Sequence, residues 1–116
     1  MKQDLVYHIC RSEEWAKAQD LGRYEGSSQD RDDGFIHFSD ATQVEASAAK
    51  HRAGQDGLVL LFVEAAALGD ALKWEASRGG ALFPHLYGDL PVAAVRRSVD
   101  LPLGPDGRHR FPTLTL

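Results

Sequence analysis

The sequence predicts an α+β fold, with one domain over residues 1–116 and a curved or split, mixed or mainly antiparallel sheet flanked by two helices. A chain of 116 residues that is 43% hydrophobic is long enough for one core but not for two. The two helical patterns come early and most strand patterns come late, an order typical of α+β proteins. The chain has no internal repeat, glycine-rich phosphate loop or G-x-S-x-G turn.

The first predicted unit is a strand followed by a helix. Leu5–Cys10 is rich in β-forming residues, and strand alternation places His8 and Cys10 on one face and Tyr7 on the other. Ser12 is the expected N-cap of the helix, because its hydroxyl can accept a bond from a free N–H of the first turn.

A polar segment, Arg23–Asp33, follows Gly22, which is the expected C-terminal stop of this first helix. The segment is predicted to be a loop. Loops of this length in small domains are often functional, and this one precedes a histidine-bearing strand. It is therefore either a candidate lid or a surface loop.

The next predicted strand, Gly34–Ser39, places His37 and Ser39 side by side on one face, opposite an apolar face. A helix over residues 41–52 is expected to begin directly after it, with Asp40 as its cap. Helix N-termini carry free N–H donors and partial positive charge, so this junction favours an anionic ligand.

The second half of the chain is predicted to be mostly strands and turns. The segments are a strand at Leu58–Glu64, a short turn at Ala65–Asp70, strands at Leu72–Glu75 and Pro91–Val99, and a strand-like stretch at Phe83–Tyr87. The first of these does not alternate, which indicates a central strand buried on both faces. Pro84 argues for an edge strand or a loop, and the proline-rich tail is expected to be irregular.

Composition excludes several classes of function. A net charge of −4 argues against non-specific nucleic-acid binding, which needs a basic surface. The single cysteine, Cys10, forms no internal disulfide and is expected to be a buried core side chain. The polar start, residues 1–4, has no signal-peptide pattern, and no apolar run approaches membrane-spanning length, so a cytoplasmic protein is expected. The oligomeric state is not predicted.

Polar side chains interrupt the apolar strand segments at four positions: His8, His37, Glu75 and His85. Burying such a group costs about 1–3 kcal/mol unless it is hydrogen-bonded, so each is either a satisfied core residue or part of a shared site. Histidine acts as acid, base or donor near neutral pH, and a carboxylate can stabilise positive charge on a sugar ring. With Trp74 and Tyr87 as stacking surfaces, a small nucleotide or nucleotide-sugar ligand is expected.

A metal held by three histidines is an alternative reading of the same residues. The histidines lack the close spacing common in such sites, so no metal ligand is assigned.

Several segments, in order, resemble the DUF952 family of small bacterial proteins. They are Tyr7-His8-Ile9, Trp15, Gly22-Arg23-Tyr24, Gly34–Ser39, Gln43-Val44, Leu60-Leu61, Lys73-Trp74-Glu75, Phe83–Tyr87 and Leu90-Pro91. That family has no established activity. Its fold is similar to the ADP-ribosyltransferase fold, whose cleft binds NAD, and its nearer relatives look like the NAD-dependent RNA 2′-phosphotransferases.

This resemblance implies an NAD- or nucleotide-binding protein that transfers a glycosyl or ADP-ribosyl group. His8 matches a histidine on the first core strand of the phosphotransferases, and His37 to Ser39 match their His-Leu-Ser segment. The residues expected to bind the cofactor are His8, Ser39, Trp74, Phe83 and Tyr87. The residues expected to carry the chemistry are His37, Glu75 and His85, and replacing His37 with alanine is expected to abolish binding or turnover with little loss of stability.

The chain also departs from the phosphotransferases. They follow their first histidine with Gly-Thr, whereas this chain has Ile9-Cys10. The arginines that hold RNA phosphate are matched only by charge, at Arg78, Arg96 and Arg97. RNA 2′-phosphate transfer is therefore not expected, and a non-catalytic ligand-binding or interaction module on the same fold remains open.

Overall fold

The computed structural model describes residues 5–77 and 79–115. The strands are β1 (Leu5–Arg11), β2 (Arg23–Tyr24), β3 (Ile36–His37), β4 (Leu58–Glu64), β5 (Leu72–Ala76), β6 (Leu82–Leu86), β7 (Leu90–Pro91) and β8 (Val95–Leu101). The α-helices are α1 (Ser12–Leu21), α2 (Ser28–Asp33) and α3 (Val44–His51), and 3-10 turns cover Ala65–Ala71 and Val92–Ala94.

The strands pair only antiparallel and form three small sheets within the described residues. Their orders are β1-β4-β8, β2-β7 and β3-β6-β5. A single backbone bridge between Tyr7 and Ser39 joins the first sheet to the segment that carries β3. The predicted α+β class with antiparallel strands is confirmed, in one compact domain, and the described residues form three α-helices rather than the two predicted.

The core lies on both faces of β4, which is the middle strand of the first sheet. Leu58 to Val63 are all buried, as the absence of alternation predicted. On one face Leu61 packs with Val6 and Cys10 from β1. On the other face Phe62 packs with Tyr7 in an edge-to-face contact at 5.2 Å between ring centroids. The two faces predicted for β1 are therefore confirmed.

Cys10 is fully buried in this core. Burial raises the pKa of its thiol to about 12, so the side chain stays neutral and packs as a small apolar group.

The start of α1 differs from the prediction by one residue. Ser12 is the first helical residue, and its hydroxyl donates to the Gly57 carbonyl at 2.9 Å instead of capping the helix. The N-cap is Arg11, whose backbone N–H donates to Glu14 Oε1 at 2.8 Å. Gly22 ends the helix with a left-handed φ of 84°, as predicted.

The segment predicted to be a loop, Arg23–Asp33, contains strand β2 and helix α2. The reason is a capping box at Ser27 and Asp30. The Ser27 N–H donates to Asp30 Oδ2 at 2.8 Å, and the Asp30 N–H donates to Ser27 Oγ at 3.2 Å. The loop prediction is therefore wrong, because much of the segment is regular secondary structure.

The junction after β3 also differs from the prediction. The strand is limited to Ile36–His37, and α3 starts at Val44 rather than at residue 41. The carboxylate of Asp40 accepts from the N–H of Thr42 at 2.9 Å, which holds residues 41–43 in a turn. Ser39 therefore does not lie at the mouth of a helix, and the expected anion site at a helix N-terminus is absent from this junction.

Pro84 is buried in β6, the middle strand of its sheet, so its predicted edge position is wrong. Its carbonyl accepts from the Phe38 N–H at 2.9 Å, just beyond the two residue pairs of the β3–β6 ladder. The N and C=O of one residue point to the same side of a strand, so the nitrogen of Pro84 also faces the end of that ladder. Proline has no N–H, but at this position its absence interrupts no bond of the ladder.

The strand predicted at Pro91–Val99 is split into β7, a 3-10 turn and β8. Two other expectations, for the polar residues 1–4 and for Arg78, fall outside the described residues. Across the described part of the chain, no helix has the length and apolar character needed to cross a membrane.

Candidate functional site

A buried carboxylate, Asp30, lies at the centre of the polar cluster between α2 and β3. Gly26 makes room for it: a Cβ on Gly26 would lie 2.8 Å from the Cβ of Asp30. Burial acts to raise the pKa of Asp30, but hydrogen bonds from His37 and Ser27 and the nearby ring of His8 lower it well below its usual range. Asp30 is therefore an ionised side chain inside the protein.

His37 bridges this buried carboxylate and a second one at the surface. Its Nδ1 lies 2.5 Å from Asp30 Oδ1, and its Nε2 lies 3.1 Å from Asp33 Oδ2. The hydrogen bond to Asp30 raises the pKa of His37 above its usual value, and Asp33 adds to the effect. With both nitrogens facing carboxylates, His37 is an imidazolium with a side chain that is 41% exposed.

His8 lies behind this pair and is only 4% exposed. Its Nδ1–H donates to the carbonyl of His37 at 2.6 Å, and its Nε2 accepts from the hydroxyl of Tyr24 at 2.8 Å. Burial lowers the pKa of His8 and raises that of Tyr24, so both groups are neutral and these donor roles are fixed. His8 is expected from the sequence to bind the cofactor; in the structure both its ring nitrogens bind protein groups, and one of them holds the backbone at His37.

A second carboxylate–histidine pair lies across the ladder from His37. His85 is directly opposite His37 in the β3–β6 register, and the two ring centroids are 5.7 Å apart. The Nδ1 of His85 lies 2.8 Å from Glu75 Oε1, and the hydroxyl of Tyr87 donates to the same oxygen at 2.7 Å. The hydrogen bond with His85 has the largest effect in lowering the pKa of Glu75, and the bond from Tyr87 lowers it further. Glu75 is therefore ionised at neutral pH.

Phe35 joins the two histidine pairs into one surface. Its ring stacks on His85 with centroids 4.1 Å apart and planes inclined by 23°. It also contacts His37 at 4.7 Å and Tyr87 at 5.4 Å between centroids. We call Phe35, His37, Glu75, His85 and Tyr87 the histidine–aromatic surface; Asp30, His8 and Tyr24 support it from below.

The structure thus brings together four residues that the sequence singled out: His37, Glu75, His85 and Tyr87. Ser39 is buried, and its backbone pairs with Tyr7. Trp74 pairs with Pro84 in the ladder, so it lies on the other face of β5 from Glu75. Phe83 pairs with Glu75 in the ladder, so its side chain lies on the same face of the sheet as those of Glu75 and His85.

Sequence reasoning missed the residues that order this surface: Asp30, Asp33, Tyr24 and Phe35. A signal for Asp30 was present, because Ser27-Ser28-Gln29-Asp30 has the spacing of a capping box. The polar, glycine-containing composition of the segment, which is typical of a loop, masks that signal.

The surface carries more negative than positive charge. Asp30 and Asp33 bind the two ring nitrogens of His37, Glu75 binds His85, and Lys73 brings one positive charge to the same face of β5 as Glu75. The end of α2 beside His37 is its C-terminus, which is the negative end of the helix dipole. This arrangement favours a cationic or neutral ring over a phosphate group at the surface itself. Over residues 5–77 and 79–115, no group of three or more His, Cys, Asp or Glu side chains is arranged to hold a metal ion.

Comparison with known proteins identifies the family. The family model described as "Protein of unknown function (DUF952)" matches residues 9–98. This chain belongs to the DUF952 family. The resemblance stated from the sequence motifs is therefore confirmed. A search of curated protein sequences gives no match.

Solved structures of a DUF952-like protein share the fold. A crystal structure of protein CC0527 from Caulobacter crescentus matches with a TM-score of 0.88 and 54% identity, over 91% of this chain and 93% of that one. A solution NMR structure of CC0527 matches with a TM-score of 0.82 and 55% identity, over 90% of each chain. Both were structural-genomics targets.

Proposed function

We propose that this chain binds the nicotinamide–ribose end of NAD at the histidine–aromatic surface and transfers or hydrolyses the ADP-ribosyl group. The observation that carries the proposal is the grouping of two accessible aromatic rings, Phe35 and Tyr87, with an ionised carboxylate, Glu75, and an imidazole, His85. These are the groups that a flat cationic ring attached to a sugar requires.

Charge favours this end of the cofactor. The oxidised nicotinamide ring is flat and positively charged, and aromatic faces attract such cations. Glu75 lies beside Tyr87, and Asp33 lies at the outer edge of His37, so the local charge attracts the ring. The diphosphate would extend away from these carboxylates.

The two carboxylate–histidine pairs supply complementary chemistry. NAD, when bound, supplies the ADP-ribosyl group through the bond between ribose C1′ and the nicotinamide nitrogen. As that bond breaks, its electron pair leaves with nicotinamide, and Glu75 stabilises the positive charge that develops on the ribose. His85, whose Nδ1–H is held by Glu75, offers Nε2 to take the proton of the water or acceptor hydroxyl that attacks C1′. Such acid–base assistance is worth about 10²–10⁴-fold in rate.

The remaining polar residues position this chemistry. His37 presents Nε2–H at the exposed edge of the surface, where a ribose hydroxyl can replace Asp33 as its acceptor. Asp30 binds the ring of His37 and His8 binds its backbone carbonyl, both from the interior. They are positioning residues, because neither reaches the surface.

A second candidate function is ligand binding without turnover. It is favoured by the engagement of both nitrogens of His37 by Asp30 and Asp33, which leaves this ring no free position for acid–base work. In that case the surface recognises a nucleotide, and the protein acts as a binding module.

Calorimetry and an assay of nicotinamide release distinguish these functions. The wild-type protein is titrated with NAD and with NADH, whose reduced ring is uncharged. The protein is then incubated with each nucleotide, and free nicotinamide is measured. We expect NAD to bind more tightly than NADH, and Glu75→Gln, which keeps an oxygen for His85 and Tyr87 but loses the charge, to reduce release about 10²-fold or more. His51→Gln, an exposed position on α3, is the control and should match the wild type.

Binding of NAD without release of nicotinamide would favour the second candidate. Equal affinity for NAD and NADH, or no binding at millimolar concentration, would overturn the proposed recognition of a cationic ring.

A further inference from the structure

In the part of the chain that the structure describes, the outer edge of β5 has no partner strand. β5 is the last strand of the β3-β6-β5 sheet, and within the described residues it pairs only with β6. The Ser77 N–H donates to the Ala81 carbonyl, and the Tyr87 N–H donates to the Ala71 carbonyl, so the odd-numbered residues of β5 face β6. The residues whose N–H and C=O groups face the open edge are Leu72, Trp74 and Ala76.

An apolar patch lies beside this edge. Trp74 is 44% exposed and Leu82 is 53% exposed, which are high values for large apolar side chains. Trp74 is paired with Pro84 in the ladder, and Leu82 is paired with Ala76, so all four share one face of the sheet. The patch lies on the opposite face from Glu75 and the histidine–aromatic surface.

We propose that a second copy of this chain pairs with β5 through its own β5, antiparallel and about a twofold axis that passes beside Trp74. The sequence of the strand, Leu-Lys-Trp-Glu-Ala, is complementary to itself in this register. Lys73 of each copy lies opposite Glu75 of the other, and the two Trp74 residues lie opposite each other. An isologous contact of this kind closes a dimer and leaves no further edge of β5 open.

The directions in which the backbone N–H and C=O groups of β5 point fit the same register. The backbone N–H and C=O groups of Leu72, Trp74 and Ala76 face the open edge. Trp74 would therefore form a hydrogen-bonded pair with Trp74 of the second copy, and Leu72 would form one with Ala76 of the second copy. Lys73 and Glu75 then form non-hydrogen-bonded pairs, in which opposing side chains come closest. The two three-stranded sheets become one sheet of six strands, and the Trp74 side chains cover each other and the adjacent Leu82.

This arrangement also explains the strand's mixture of charges and tryptophan. Exposed edge strands are usually protected by like charges or prolines that prevent pairing. The one lysine of β5 is matched by a glutamate two residues on, so the charges direct the pairing toward a copy of the same strand. The dimer contact does not rest on the proposed function, but it shares Glu75 with the histidine–aromatic surface, whereas Trp74 and Leu82 lie on the other face of the sheet.

Charge reversal tests the register directly by sedimentation velocity or light scattering over a range of concentrations. Lys73→Glu places two glutamates opposite each other twice in the dimer, and Glu75→Lys does the same with lysines. We expect each variant alone to dimerise about tenfold or more weakly than the wild type. A mixture of the two variants should form a heterodimer with both ion pairs restored, even though each variant alone is monomeric at that concentration.

Proline at the centre of the strand tests the backbone contact. The N–H of Trp74 faces the open edge, so Trp74→Pro removes no bond to β6 and the monomer should fold, as circular dichroism will report. This variant should be monomeric, whereas Trp74→Val, which keeps the N–H, should retain weaker dimerisation. A monomeric wild type at millimolar concentration would overturn the proposal. So would a dimer that is unaffected by Lys73→Glu and Trp74→Pro, or variants that fail to associate when mixed.

Discussion

The ring of His37 is bound to the buried carboxylate of Asp30, with 2.5 Å between Nδ1 and Oδ1, while the backbone N–H of His37 donates to the same oxygen at 3.2 Å. One carboxylate therefore fixes both the side chain and the backbone of the residue that lies opposite His85. The organisation of the candidate site depends on this relationship more than on any of the exposed groups.

Replacing Asp30 with asparagine is expected to lower the free energy of unfolding by about 2–4 kcal/mol, because it removes the charged partner of a buried, hydrogen-bonded pair. The pKa of His37, followed by NMR of its imidazole protons, should fall from its raised position toward 6.5. Asp33→Asn is the matched control: Asp33 is exposed, so its loss should cost less than about 1 kcal/mol. A pKa of His37 that is unchanged in Asp30→Asn would contradict this account.

The stability difference between wild type and Asp30→Asn should depend on pH in a defined way. The folded pKa of Asp30 is depressed, so its contribution is complete above its usual pKa of 3.8 and is lost as the pH falls below it. The folded pKa of His37 is raised, so its contribution is complete below 6.5 and is lost as the pH rises through the folded value. Urea unfolding at several pH values should show the largest difference between about pH 4 and 6.5, and a difference that is constant with pH would contradict the pairing.

Tyr24→Phe is expected to destabilise the protein by about 1–3 kcal/mol, because it leaves the buried Nε2 of His8 without a donor. Tyr87→Phe offers a matched control, because its hydroxyl is exposed and its loss should cost less stability than the loss of the Tyr24 hydroxyl. Denaturant unfolding of both variants checks this difference, and equal costs would argue against a structural role for the His8–Tyr24 bond.

Gly26→Ala should be more harmful than Gly34→Ala, although both glycines have a positive φ. A left-handed alanine costs about 1–3 kcal/mol at either position. Only at Gly26 would the new Cβ also meet Asp30 and Ile36, at 2.8 and 3.2 Å. We expect the unfolding free energy to fall further for Gly26→Ala, and the pKa of His37 to change only in that variant.

Much of the fold was predictable from periodicity. The continuous apolar run of β4 predicted a strand buried on both faces, and the alternation in β1 assigned Val6 and Cys10 to one core and Tyr7 to the other. Local patterns of this kind report burial directly, because each face of a strand meets one environment.

The support of the site was not predictable in the same way. Asp30 is polar and lies in a segment of polar residues, so its sequence environment is typical of a surface loop. Its burial depends on α2 packing against β3, which is a tertiary contact. The prediction that His37→Ala causes little loss of stability did not include Asp30, which that change leaves without its main partner.

The most direct test of the central claim is a two-dimensional amide NMR titration with NAD and, separately, with ADP-ribose, which lacks the nicotinamide ring. We expect NAD to shift the amides around Phe35, His37, Glu75, His85 and Tyr87, and ADP-ribose to shift them less. The shifts should be lost in Glu75→Gln and kept in His51→Gln. Shifts located elsewhere, or none at millimolar NAD, would contradict a nicotinamide site at the histidine–aromatic surface.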